Sequence, residues 1–533
     1  MRIGVIAEKG RVLQWHVLLA EHLNRTLANT EAKIVIGDAD GELPSSVRLL
    51  LEMERLILRR SRQTLTDQIY DYSGEIFARA EFEADLLIDC THSTPIASNK
   101  RVIRPYFAGA PGERAMINAL LARATLITIH DEQGKIIASG FPSMEAADGL
   151  TGSIEATASR VMLLIQSVLG GGQPAQADPT NQTQNGTSSA LKFGIKNLAR
   201  ECASRLYHLC CFAPHWRIGW RLIEGPGVLE RADLSGPVFK IIADPGRRFF
   251  ADPFPFTWAG RTFIAFEDLD HRVGRGTISA IELKENKPSE RVYLLLAEPW
   301  HLSYPQFIEH RGTLYMTVES AGAGKTVLYR CTDFPLRWEI CATLVDNAEL
   351  ADPTIFIHNG IWWMMSCVRY GIGGYSDALS IHYANNLLGP WRQHASHPVL
   401  VDCRVARPAG AVVSKQGELW RPVQDCSRGY GRALGLARID KLDQDSFLQE
   451  NVSNVSPGRR WPGGRLHTLN RCGSLECIDG TTYNPKWPAL RRIVVPLMEP
   501  SGEQGDRAEP TRGRFDWHSS FYDVHSHPND VPF

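Results

Sequence analysis

Phe250-Ala251-Asp252-Pro253, followed by Gly260 and Glu267, is one copy of a short pattern that recurs through the second half of the chain. Tyr304-Pro305 with Gly312 and Glu319, and Asp352-Pro353 with Gly360 and Cys367, repeat it. In each the glycine falls eight residues after the first position, and the last residue seven further on. Looser copies read Ala409, Gly417, Gln424 and Arg465, Gly473, Gly480. The starts are 52, 48, 57 and 56 residues apart, a period that marks a solenoid, a propeller or an array. Within a copy, an apolar stretch, a glycine turn and a second apolar stretch make a β-hairpin, as at 254–258 and 262–266. Five such units with no helical pattern between them predict a five-bladed β-propeller over residues 216–482.

The rest of the chain reads differently. At 533 residues it exceeds what one core supports, so more than one domain is expected. Residues 1–169 alternate strand-like stretches (2–7, 32–36, 84–89, 125–129) with helical ones (12–27, 46–60, 114–122, 153–168), the pattern of a mostly parallel α/β sheet. Residues 170–190 are polar and read as a flexible linker. The segment 191–215 begins with an amphipathic helix carrying Lys192, Lys196, Arg200 and Arg205. It reads as a helix docking one domain on the other, with peripheral contact of 191–209 with a membrane as the alternative. Residues 483–533 read as a fraying tail, and His518, His525 and His527 in it as solvated rather than metal-binding.

A net charge of -1 gives no field to recruit nucleic acid. Eleven cysteines without metal-type spacing fit free thiols, and the absence of a long apolar start points to the cytoplasm. Gly4 and Gly10 are wrongly spaced for a dinucleotide site. No cofactor and no metal set are expected.

In a propeller, the innermost strands converge on a channel. Asp252 and Asp352 are therefore the candidate base and its charge-tuning partner; the alternative is that Asp-Pro merely starts a strand through a turn. Phe250-Ala251-Asp252-Pro253 with Leu350-Ala351-Asp352-Pro353 resembles the five-bladed propellers of glycoside hydrolase family 43 and its relatives. That resemblance implies an Asp base in the first blade, a tuning Asp in the third and a Glu acid from a neighbouring blade. The fourth blade, however, reads Arg407-Pro408-Ala409-Gly410. Glu267 and Glu319 are the remaining candidates for the acid, without which hydrolysis lacks one of its two carboxyls.

Arg407 to Gly410, then 417–426 (Gly-Glu-Leu-Trp-Arg-Pro-Val-Gln-Asp-Cys), then Tyr430-Gly431-Arg432, His467-Thr468-Leu469-Asn470 and Ile478-Asp479-Gly480, resembles the N-terminal propeller of plant glucosamine inositolphosphorylceramide transferase and its bacterial relatives. The resemblance implies a transferase-related role in glycan or glycolipid assembly, with a sugar, nucleotide sugar or glycolipid as partner. Arg407, Arg421, Gln424, Asp425, Tyr430 and His467 are the candidate substrate contacts, being forks and mixed donors suited to phosphate and polyols. Gln424-Asp425 reads equally as a network tying blades together. Trp258, Trp362, Trp363 and Trp420 are sugar platforms or, more often, blade core. A non-catalytic glycan-binding or scaffolding propeller is the alternative of another class.

Ile103-Arg104-Pro105-Tyr106-Phe107-Ala108-Gly109-Ala110-Pro111, with Asp131-Glu132-Gln133-Gly134, resembles the folate-dependent formyltransferase fold around its active-site loop. The family's Asn-x-His is missing, since His92 stands in Cys90-Thr91-His92-Ser93. The expectation is therefore a formyltransferase-like domain that lacks the chemistry, with formylation of an amino sugar as a further alternative.

Overall fold

The computed structural model describes residues 1–57, 64–93, 100–172, 174, 189–458, 461 and 464–487. His518, His525, His527 and most of the linker 170–190 lie outside them.

Five four- to five-stranded antiparallel sheets form the propeller. Blade one is Arg248–Trp258, Arg261–Asp270, Arg275–Lys284 and Lys287–Leu296; blade two runs from Ser303–His310 to Arg337–Asp346. Blade three starts with Leu350–His358 and Ile361–Val368, and blade four contains Glu418–Asp425 and Ala433–Leu442. Blade five closes the ring from both chain ends. Its order is Leu469–Cys472, Leu475–Thr482, His215–Leu222 and Lys240–Ile241, so a strand that precedes blade one completes the sheet that follows blade four. That non-local ladder (Leu475 opposite Leu222 through Thr482 opposite His215) removes a free sheet edge. The hairpin turns carry the predicted glycines in the left-handed region, such as Gly260 at φ 75 and Gly360 at φ 76. The fifth copy differs from its sequence reading: Thr468, not Arg465, bonds Asp252, and its hairpin turn is Gly473-Ser474.

The N-terminal sheet is mixed. Glu31–Asp40, Arg2–Lys9, Leu86–Asp89 and Arg101–Phe107 are parallel neighbours, while Ile127–His130 and Ile136–Gly140 add on antiparallel. Arg101–Phe107, not among the strands read from the sequence, is an inner strand; its Val102, Ile103 and Phe107 are buried. The helix Gly149–Leu169 is buried nearly all round, because other helices pack on it from one side and the propeller from the other.

Its Arg160 makes the tightest link between the two domains. Fully buried, it donates from Nε and Nη2 to the two oxygens of Asp377 (2.8 and 2.6 Å) and from Nη1 to the Tyr370 carbonyl (2.9 Å). Asp377 also accepts from the Ser143 amide. Gly373 and Gly374 are required here, since a Cβ on either would lie 2.2 Å from Arg160 or 2.3 Å from Glu145. The segment after 482 is not all tail: Asn484 is buried against His215 and the Gly246 carbonyl. Asp377→Ala would strand a buried guanidinium, and a loss of about 3–5 kcal/mol is expected. Denaturant unfolding checks this, and an unchanged midpoint would show that the domains do not depend on this pair.

Candidate active site at the channel mouth

Asp252, Tyr304 and Asp352 occupy equivalent places near the start of the innermost strands, and all three have left-handed backbone (φ 50, 51 and 52). The pairing register slips at each of these positions. These are β-bulges, which unpair an amide and turn a side chain inward. Each freed amide is taken up by a neighbouring carboxylate: Asp252 N donates to Asp479 (2.8 Å), Tyr304 N to Asp252 (3.3 Å) and Asp352 N to Glu319 (3.1 Å). Asp-Pro is thus neither a simple strand start nor a free acid, but a bulge whose carboxylate serves the next blade.

Around Asp252 the groups are charged and dry. Oδ1 accepts from Thr468 Oγ1 (2.8 Å) and lies 3.3 Å from His467 Nε2. His467 Nδ1 meets Asp479 at 2.6 Å, and its ring stacks on Trp216 with centroids 3.9 Å apart. Burial lifts Asp252 to about 6, His467 pulls it down, and Asp352 and Asp479 push it further up. Burial opposes the charge on His467, yet Asp479 and Asp252 together raise its pKa. Glu267 rises well above the carboxylate range, through burial first and then through Asp252 and Glu319. Asp252, His467 and Asp479 each offer one ligand atom within 4.8 Å of the others. Among the described residues they have the composition of a small cation site, but a protonated His467 already supplies the positive charge between the two carboxylates.

Asp352 anchors the other half. Arg407 Nε donates to it at 2.6 Å and Gln424 Nε2 at 2.9 Å, while Arg407 Nη2 lies 3.6 Å from Glu319. Burial raises Asp352 to about 7 against the pull of Arg407. The residues expected as substrate clamps make these bonds within the chain. The donors of Arg407 face Asp352, Glu319 and Tyr430, and Gln424 Nε2 is divided between Asp352 and the Pro408 carbonyl; both position Asp352. Arg421 is not at the mouth; its guanidinium binds Gln449 and the carbonyls of Val405 and Ala406 within blade four. Asp425 caps a turn through Ser427 N. Tyr430 remains half-buried beside the cluster, under the Arg407 guanidinium at 4.7 Å.

The tryptophans take their blade-core reading: Trp362 and Trp363 are buried in blade cores, Trp258 packs against one, and Trp420 bonds Glu418. The indole at the site is Trp216, outside every repeat and so invisible to repeat reading. Asp479 was signalled by Ile478-Asp479-Gly480, though not as the partner of His467. A cavity of about 460 Å³ lined by His358, Asn359, Trp363 and Asp443 opens at the far end of the strand that carries Asp352, away from these groups. In the first domain, His92 is held by Glu8 (2.8 Å) and Asp131 closes a hairpin turn through the amides of Gln133 and Lys135; no bond joins the two.

Residues 240–475 match the family described as Glucosamine inositolphosphorylceramide transferase 1, N-terminal. Two relatives carry the name Glucosamine inositolphosphorylceramide transferase 1. The protein of Oryza sativa subsp. indica is 33% identical over 265 residues, 47% of this chain and 35% of its own length. That of Arabidopsis thaliana is 30% identical over 228 residues, 41% and 30%. The chain thus spans about a third of the length of the curated relatives it matches. Solved structures aligned with it include a family 117 glycoside hydrolase of Zobellia galactanivorans (12% identity, TM-score 0.33, 50% of this chain and 90% of that one). Another is a thermostable family-43 glycoside hydrolase (14%, 0.30, 40% and 78%).

The raised carboxyls set a pH dependence of stability. Acids that hold their protons more tightly when folded stabilise the fold below their unfolded pKa and lose that contribution as pH rises through the folded value; the raised His467 acts in the same sense. Stability is expected to fall by roughly 1–3 kcal/mol between about pH 4 and pH 8, and Asp252→Asn to flatten the trend. Thermal unfolding across that interval checks it; a midpoint that climbs with pH contradicts the assignment.

Proposed function

We propose that the channel mouth transfers or hydrolyses a glycosyl group in glycan or glycolipid assembly, acting on a sugar or sugar phosphate. One observation carries the reading. Two buried carboxyls stand at the mouth with raised proton affinities: burial lifts Asp252 to about 6, and burial with the charges of Asp252 and Glu319 raises Glu267 well above the ordinary carboxylate range. Carboxyls whose proton affinities are driven apart at one site are suited to divide base and acid work. Asp252 takes the proton of the attacking hydroxyl as its oxygen bonds to the anomeric carbon. The bond to the leaving oxygen breaks, and Glu267 protonates that oxygen unless it departs as phosphate. Arg407 and Gln424 hold Asp352, whose charge keeps the Asp252 proton affinity high. The names of the plant relatives support a glycolipid as the class of substrate.

A non-catalytic glycan-binding propeller is the second reading. It is favoured by the Ala409-Gly410 step in blade four, which offers no carboxyl there. No observation on His92 or Asp131 favours formyl transfer.

Asp252→Asn retains size and an acceptor for the Tyr304 amide but removes the base. Turnover is expected to drop at least about 10²-fold with binding largely kept. Glu267→Gln is expected to cost turnover on poor leaving groups and to spare substrates with acidic ones. Product analysis and calorimetry on a panel of nucleotide sugars, sugar phosphates and glycolipids separate the readings. Binding without turnover by the parent across the panel makes the binding module the answer. Arg407→Lys, which loses the planar fork, is expected to lower turnover more than affinity; the reverse result would restore Arg407 as a substrate clamp.

A further inference from the structure

The helix Ala190–Cys210 wears its apolar stripe on the outside. Leu191, Ile195, Leu198, Cys202, Leu206 and Leu209 follow one another at intervals of three and four, which puts them on a single face. All six are exposed, Leu191 to 70% and Leu209 to 68%. The opposite face is the docked one: Phe193 packs on the first domain's core, and Ser204 and Tyr207 are buried. The stripe runs about 27 Å along the helix at 1.5 Å per residue.

A second helix does the same. Ser45–Ile57 buries Val47, Leu50 and Glu54, and exposes Leu49, Met53, Leu56 and Ile57, again at helical spacing. The two helices lie side by side, with Gly194 facing Leu50, where a Cβ would approach to 2.8 Å. Both also pack on the buried helix Gly149–Leu169, so both outer faces point away from the same body. The result is one two-helix apolar surface with no groove in it.

Its polar margins are cationic. The two helices carry Arg48, Arg55, Lys192, Lys196, Arg200 and Arg205 against Glu52, Glu54 and Glu201. Glu54 is buried and spent on the Leu150 and Thr151 amides, and Glu201 pairs with Arg205 at 2.8 Å. Lys196 stands near Arg123 and Arg200, and the Arg123 charge first, then burial, then the Arg200 charge lower its pKa. Among the described residues no helix is long and apolar enough to cross a membrane. Leucines outward with lysines and arginines at the margin instead match the interface of a bilayer, where apolar side chains enter the acyl boundary and cations meet anionic headgroups.

We propose that the paired outer faces of Ser45–Ile57 and Ala190–Cys210 dock this protein on the surface of a membrane containing anionic lipid. The inference rests on the surface and its charge, not on the reaction at the channel. It adds a consequence for access: the longer helix passes through Cys211 and Phe212 into the strand that starts at His215, at the end of blade five facing Asp244 and His271. A docked helix would therefore hold the propeller at the bilayer by its own entry strand.

Flotation of the full chain with vesicles tests this, using phosphatidylcholine alone and phosphatidylcholine mixed equally with phosphatidylglycerol. Binding is expected on the mixed vesicles and to weaken with salt. Leu198→Glu with Leu56→Glu is expected to abolish it, and each of Lys192→Ala and Lys196→Ala to lower partition about fivefold. All four positions are exposed, so unchanged thermal unfolding should accompany the loss. No binding to either vesicle, or binding that the paired glutamates leave intact, overturns the proposal. A concentration-dependent dimer that the glutamates dissociate, with no vesicle binding, overturns it in favour of a second copy as the occupant. Glycosyl turnover on a soluble substrate is read separately in the same variants, so failure here and failure of the proposed reaction are distinguishable.

Discussion

The propeller depends on one recurring bond: a backbone amide freed by a bulge and received by a carboxylate of the blade before it. Asp479, Asp252 and Glu319 are those acceptors for blades one, two and three. An unpaired buried amide costs about 1–3 kcal/mol, so each carboxylate is retained for reasons of fold as well as chemistry. Side chains continue the ring where bulges end. Gln424 reaches from blade four to Asp352, and Asn470 links the Ala411 amide of blade four to the Pro253 carbonyl of blade one. The same burial that makes these bonds strong is what lifts Asp252, Glu267 and Asp352 above the ordinary carboxylate range. Structural glue and a candidate proton-transfer site are one set of atoms.

The first domain bears on that set directly. It docks on the loop 369–377 and on Asp402-Cys403, both on blades three and four, and the docking loop carries Glu145. Burial raises Glu145, and the nearest opposing charge that lowers it is Arg407, the residue that holds Asp352. Arg160, Asp377, Ser143 and Glu145 thus fix one wall of the channel mouth.

The architecture was legible because its signal is periodic. The Asp-Pro and glycine positions survive at a near-constant spacing, and a turn glycine at positive φ has a local cause that a sequence displays. Helix existence in the first domain was legible for the same reason, as with Ser45–Ile57 and Gly149–Leu169. What failed was non-periodic. Arg101–Phe107 carries Arg104 and Pro105 within a strand, and was not among the strands read from the sequence. Trp216 and the closing strand His215–Leu222 sit 250 residues from their partners around Asp479, a pairing that no local pattern records. Arg407 and Gln424 were legible as site residues, but not their bonds to Asp352. Their side chains suit a phosphate or a polyol equally well, and only the position of Asp352 shows where their donors go.

That reassignment bears on which group can act as acid. Blade four presents Ala409-Gly410 where a carboxyl is wanted, and three glutamates remain within reach of the cluster. Glu319 receives the Asp352 amide and faces Arg407, both through Oε2. Glu145 likewise accepts from the Tyr375 amide and the Ser376 hydroxyl. Glu267 differs. Its closest ionisable contact is His301 at 3.4 Å, an imidazole that burial lowers to about 4 and so leaves neutral near pH 7. Burial first, then the charges of Asp252 and Glu319, raise Glu267 well above the ordinary carboxylate range. A buried carboxyl whose proton affinity is raised is suited to donate, which is why Glu267 is the acid in the proposed reaction.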